Sequence, residues 1–250
     1  MKLNTAFMKE TFFLALRGIP VTLEITLITL LLAIPFGFLI ALLASNPKHR
    51  IANKIIAVYV SYNRGTPVIV QMLIIYALLP DLMEWLVEIF SLSLDVNKLS
   101  NMFYVVLFFV LWQTAFLSKT FAAGLKSVGK GQYEAAVSNG LNGFHAYVRI
   151  IAPQVFKAIL PVLCTNVNGL IKMTSLSYSM CVLEITGLAK VAAAGNLCYL
   201  EAYIVTACVY LILCLSVELL FKQIERYWER KKTDIGQTKV VIGGADNAIS

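Results

Sequence analysis

The sequence predicts an all-α integral membrane protein with five spanning helices, and three observations carry that prediction. Of its 250 residues, 59% are hydrophobic and 14% charged, with a mean hydropathy of +0.76; soluble domains hold about 45–50% apolar residues. The apolar residues fall in long blocks, and a block of about 20 suffices to cross a hydrocarbon core of roughly 30 Å. The net charge of +7 comes from Lys and Arg that flank these blocks instead of lining one polar face, which fits membrane topology and not nucleic-acid binding.

Residues 1–19 open the chain as an interfacial segment. Lys9, Glu10 and Arg17 break its apolar run and no A-x-A-like site follows, so it reads as a short surface helix and not as a secretory signal. The membrane domain occupies 20–222, with spans at 20–44, 53–79, 101–118, 158–183 and 198–221. Phe103, Tyr104, Phe108, Phe109 and Trp112 give the third span lipid-facing or packing bulk. Cys164, Cys181, Cys198, Cys208 and Cys214 lack C-x-x-C or His-paired spacing and read as packed thiols. The lone His49 and His145 fall in loops, at a solvated surface or a docking point. Residues 223–250 have little that could form a core and read as a flexible cytoplasmic tail.

An odd number of spans puts the termini on opposite sides, and the positive-inside rule chooses between the two orientations. Loops 45–54 and 119–157 and everything beyond 221 collect most of the 21 Lys and Arg residues, while the opposite side carries Asp81, Glu84, Glu88 and Asp95 in one loop. The N-terminus is therefore expected outside and the C-terminus in the cytoplasm.

The cytoplasmic loop 119–157 is the most informative stretch. Its segment GLKSVGKGQYEAA, residues 124–136, mimics the phosphate-cradling G-x-x-x-x-G-K-[ST], but Gly131 stands where a hydroxyl must hold magnesium. No α/β unit surrounds it, so nucleotide is not expected to bind here. Glu134 to Val137 suit a short helix, Gly140 to Gly143 a break, and Phe144, Val148 and Ile151 a second helix stopped by Pro153. Such a helix-turn-helix held outside the membrane is a docking element.

The run EAAVSNGLNGFHAYVRIIAP, residues 134–153, resembles the EAA loop of bacterial ABC importer permeases, through Glu134, Ala135, Ala136, Gly140, Ile150 and Pro153, with Ala152 in place of the usual Leu. TLEITLITLLLAIPFG, YNRGTPVIVQMLIIYALLP, SVGKGQYEAA and LIKMTSLSYSMCVLEI are similar to segments of the polar amino acid branch. Departures include Lys119 and Ala122 where the branch places Glu and Arg before the loop, and Met173 in place of Asp. The resemblance implies a permease subunit in the bacterial cytoplasmic membrane that forms half of a dimeric pore with an identical or paralogous copy. It also implies a separate ATPase subunit, acting as a homodimer and docked on the EAA loop, and an extracytoplasmic binding protein that delivers a polar amino acid, cystine among the candidates. ATP and magnesium would sit on the ATPase partner, leaving this chain with no cofactor of its own and no enzymatic role.

Charges inside a bilayer cost several kcal/mol, so those that persist face a cavity or a partner. Arg64 lies about 15 Å along a helix from Lys54, near the midplane; Lys172 is also interior, and Glu24 and Glu184 lie nearer the outer ends. These four either meet a substrate's carboxylate and ammonium or pair with one another. Gly65 and Pro67 either loosen the second span and free backbone groups toward a cavity or simply kink the helix; with Thr66 and Gln71 they join the path candidates. Thr174 and Ser175 either line the path or bond back to their own helix. The competing reading is an ATP-independent carrier or channel, against which the lack of an inverted repeat speaks. A membrane-embedded enzyme is a weaker third, since no nucleophile-base pair or metal set is visible.

Overall fold

The computed structural model describes residues 3–46, 49–91, 93 and 95–246, with side chains as far as Trp228 except those of Asn97 and Lys130. The described residues form helices and no strand: α1 Thr5–Leu16, α2 Ile19–Ser45, α3 Arg50–Gly65, α4 Val68–Ile89, α5 Asn101–Val128, α6 Lys130–Ser138, α7 Gly143–Ala146, α8 Ala152–Met173, α9 Ile185–Asn196 and α10 Tyr199–Asp246. Among the described residues, five stretches are long and apolar enough to cross a membrane: Thr5–Ser45, Val68–Ile89, Asn101–Val128, Gly143–Met180 and Tyr199–Trp228.

α5 is the centre of the bundle. Phe108, Phe109, Leu117 and Phe121 are fully buried along it, so most of the aromatic bulk of this span is core and not lipid-facing. Its closest neighbour is α2, which turns Ala33, Gly37 and Ala41 toward it at helical spacing; a Cβ on Gly37 would stand 2.8 Å from the Cβ of Leu117. Small residues at every fourth position let two backbones approach, which matters most where lipid removes the hydrophobic drive between helices. Gly124 packs in the same way against Val155 and Ile159 of α8. It therefore lies inside a helix and not in a phosphate loop.

Two expectations are corrected. The second span does not run from 53 to 79: Thr66 is extended, Pro67 starts α4 with φ −59 and ψ 131, and α3 is a separate amphipathic helix. Proline removes a backbone donor and pushes its predecessor out of the helical region, which ends α3 at Gly65. The third span continues to Val128, with no breaker before Gly129 at φ 74, so the connecting loop is shorter than 119–157. In the segment expected to be interfacial, residues 5–16 form a helix whose Phe7, Thr11 and Ala15 are buried on one face and packed against α9 and α10. Asn4 caps this helix, its side chain accepting from Phe7 N, and its own N–H donates to Glu201 Oε1 at 3.1 Å.

The backbone of α10 continues as helix to Asp246, through the stretch read as a tail. Residues 247–250 of that tail lie outside the described residues. We call the end of the bundle carrying α6 and α7 the lower end, and the end carrying Gly18, Glu184 and Glu201 the upper end.

Candidate functional site

The lower end carries a compact corner. α6 ends in a Schellman turn, in which Leu141 N donates to Ala136 O at 3.2 Å and Gly140 N to Val137 O at 2.9 Å, with Gly140 at φ 83. That φ is the left-handed conformation glycine adopts without strain. Asn142 then caps α7, its Oδ1 accepting from His145 N at 2.9 Å. The rings of Tyr133 and Tyr147 lie 5.2 Å apart and fold the second arm back on the first. Gln154 Nε2 reaches Gln132 Oε1 at 3.4 Å across the base.

Pro153 does not stop this second arm. Residues Tyr147–Ile151 form a π turn that runs straight into α8, where Pro153 occupies the first turn. There its missing N–H costs little, because the ladder is already offset by the wider turn.

The corner has an inner and an outer side. Ala136 and Ile151 are buried, and Ile150 is half-buried against the cluster built on Phe121 and Val155. Glu134, Ala135, Gly140 and Pro153 are exposed. So is Phe144, at 72%, with Val137 and Val148 beside it in sequence order. Of the six residues identified by the loop pattern, four therefore point outward and Ala136 and Ile150 hold the arms to the bundle. Phe144, Val137 and Val148 were not singled out as docking residues; a helical apolar stripe from Phe144 to Ile151 suggests an inward face, and only Ile151 takes it.

The path candidates are dispersed. Gln71, 1% exposed, closes the α3–α4 break: the two N–H groups of its Nε2 are shared among Thr66 O at 2.9 Å, Thr66 Oγ1 at 2.5 Å and Asn63 O at 3.2 Å. A break inside a bilayer frees backbone carbonyls that need donors, and this amide supplies one. Gly65 faces open space and Pro67 is exposed. Arg64, also exposed, lies 5.9 Å above the ring of Phe116, midway along α5.

Lys172 is exposed in a cleft of ≈ 400 Å³ between α8 and α10, together with Thr165, Asn168, Glu218, Lys222 and Glu225. Lys222 is 2.8 Å from Glu218. Among the described residues no carboxylate pairs with Arg64 or Lys172, so mutual ion pairing with Glu24 and Glu184 is not what this conformation shows. Glu24 is exposed on α2. Glu184 is fully buried; it caps α9, accepting from Thr186 N at 2.8 Å and Gly187 N at 2.9 Å. Thr174 and Ser175 donate back to Ile171 O and Lys172 O, at 2.7 and 2.8 Å.

Among the described residues, an all-helical bundle with five helices long and apolar enough to cross a membrane defines a multi-pass membrane protein. The chain belongs to the binding-protein-dependent transport system inner membrane component family, whose pattern matches residues 33–230. It is 33% identical over 220 residues to the probable amino-acid permease protein YxeN of Bacillus subtilis (strain 168), covering 88% of this chain and 93% of that protein. It is 32% identical over 216 residues to the L-cystine transport system permease protein TcyL of the same organism, covering 85% of this chain and 88% of that protein. Among solved structures, an amino acid ABC transporter crystallised with histidines superposes with a TM-score of 0.73 at 25% identity, covering 90% of this chain and 99% of that one. The inward-facing methionine transporter MetNI shares the fold, with a TM-score of 0.60 at 15% identity over 86% of this chain and 95% of that one.

Proposed function

We propose that this chain is the permease subunit of an ATP-driven importer of polar amino acids, with cystine among the candidate cargoes. Two such subunits, identical or paralogous, form the pore in the bacterial cytoplasmic membrane. A separate ATPase, paired with its own copy, docks under each subunit at the lower corner and holds the ATP and magnesium. The lower end faces the cytoplasm and the upper end receives a binding protein. The names of the relatives support the cargo class. The corner itself carries the coupling: it exposes a carboxylate, a glycine turn and Phe144 on a surface that the rest of the chain leaves uncovered, as a helix that enters a partner's groove must.

Gly140→Asn tests this reading. Asparagine tolerates the left-handed conformation, and no atom of this chain lies within 4 Å of the added Cβ, so the corner should keep its shape while its outer surface gains bulk. The expected result is a wild-type amount of inserted permease with substrate-stimulated ATP hydrolysis lost from the complex. Unimpaired coupling would place the docking surface elsewhere on the chain, and uptake by vesicles lacking the ATPase would favour an ATP-independent carrier or channel.

A further inference from the structure

α8 presents two faces. Val155, Ile159 and Leu163 are buried in the cluster that contains Leu117 and Phe121 of α5. Cys164, Asn168 and Lys172 recur at every fourth residue, which keeps them on one helical face, and they line the cleft of ≈ 400 Å³ whose other wall carries Glu218, Lys222 and Glu225 of α10. That volume falls within the range of about 300–1,000 Å³ in which proteins hold small molecules.

The four charged residues of this lining lie inside Gly143–Met180 and Tyr199–Trp228, two of the stretches able to cross a membrane. Charges inside a span are costly against lipid tails, so a surface that carries four of them borders water or protein. Their signs balance, Lys172 and Lys222 against Glu218 and Glu225. Among the described residues Lys172 makes no ion pair. Glu218 meets Lys222 through Oε1 alone, and its side chain is 42% exposed, which leaves Oε2 to accept a further donor. One wall therefore offers a free ammonium and the other a carboxylate with an open oxygen, and Thr165 adds a hydroxyl to the first. This pattern complements the carboxylate and ammonium that every α-amino acid carries on one carbon.

We propose that the α8–α10 cleft holds the cargo within the membrane, with Lys172 donating to its carboxylate and Glu218 accepting from its ammonium. The balanced lining favours amino acids of no net charge, because an acidic or basic side chain would leave one charge uncompensated inside the span. This rests on the transport reading above and narrows its cargo class.

The test measures saturation binding to the complex of permease and ATPase in lipid nanodiscs, with three radiolabelled mixtures: serine, threonine, asparagine, glutamine and cystine; aspartate and glutamate; lysine and arginine. The unmodified complex should prefer the neutral mixture. Lys172→Met should weaken neutral binding about tenfold or more, as expected for losing a charge-assisted hydrogen bond, and shift preference toward the basic mixture. Glu218→Gln should shift it toward the acidic one. Lys172→Arg keeps the positive charge and should restore most of the neutral affinity. A residue that merely holds two helices together does not produce opposite shifts in selectivity. Unshifted preference in an assembled Lys172→Met or Glu218→Gln complex overturns the proposal. So do preference of the unmodified complex for a charged mixture, absence of saturable binding of all three, and failure of both variants to assemble, since the charges would then serve the fold. ATP hydrolysis by the unmodified complex with its binding protein is measured in parallel. No stimulation by any mixture would remove the importer reading itself, whereas stimulation with unshifted binding in the variants removes the cleft alone.

Discussion

Arg64 shows how much one residue can carry and how little its sequence context fixes. Counting helical rise along a span from 53 to 79 puts it at about mid-depth; in the structure it stands one residue before the end of the separate helix α3, over the ring of Phe116. Replacing it by leucine keeps apolar bulk and removes the charge. If it serves the cargo, Arg64→Leu complexes should assemble and hydrolyse ATP but take up substrate poorly, and Arg64→Lys should rescue only in part, because an ammonium lacks the planar two-point fork. Wild-type uptake by Arg64→Leu would remove Arg64 from the path. Phe144 gives a second prediction at this scale: Phe144→Ala, at a side chain that is 72% exposed, should leave stability within about 0.5 kcal/mol of wild type while weakening ATPase binding. Unchanged binding in a pull-down with the ATPase would place the docking surface elsewhere.

At the scale of elements, the breaks are legible and the contacts are not. Pro67 and Gly140 announce their turns in the sequence, since one cannot donate and the other tolerates positive φ. Pro153 misleads, because a proline that normally ends a helix is accommodated by the π turn before it. Gln71 was recognised as a path candidate, yet its amide stitches the break, a role that depends on the spatial position of Asn63 O and Thr66 O. Gln71→Leu should leave those buried carbonyls short of a donor and cost about 1–3 kcal/mol, read as a lower unfolding temperature of the detergent-solubilised complex. Gly37→Val should cost a similar amount, about 1–3 kcal/mol, by forcing α2 away from Leu117. If Gly37→Val is as stable as wild type, α2 and α5 do not pack as closely as described.

For the whole molecule, the orientation follows from the asymmetry of Lys and Arg and is open to a direct test. With the five native cysteines replaced, a cysteine at Asn196 near the upper end should react with a membrane-impermeant maleimide in intact cells. One at Phe144 should react only after the membrane is permeabilised. The reverse pattern would invert the topology and place the corner where no cytoplasmic ATPase could reach it.

The sequence by itself determined the membrane class, the number of spans, the existence of the lower corner and the family. Each of these rests on composition, on period, or on a run of neighbouring residues that acts locally. The tertiary structure alone decided that residues 5–16 pack on α9 and α10, that the second span starts only at Val68, and that Glu184 is buried as the cap of α9, bonded by Tyr210 and packed beside Gly18. These depend on groups far apart in the chain, Gly18 against Ile185 and Glu184 against Tyr210. A buried carboxylate and a small residue look the same in a sequence whether they face a substrate or a neighbouring helix, and only the partner brought to them by folding tells the two apart.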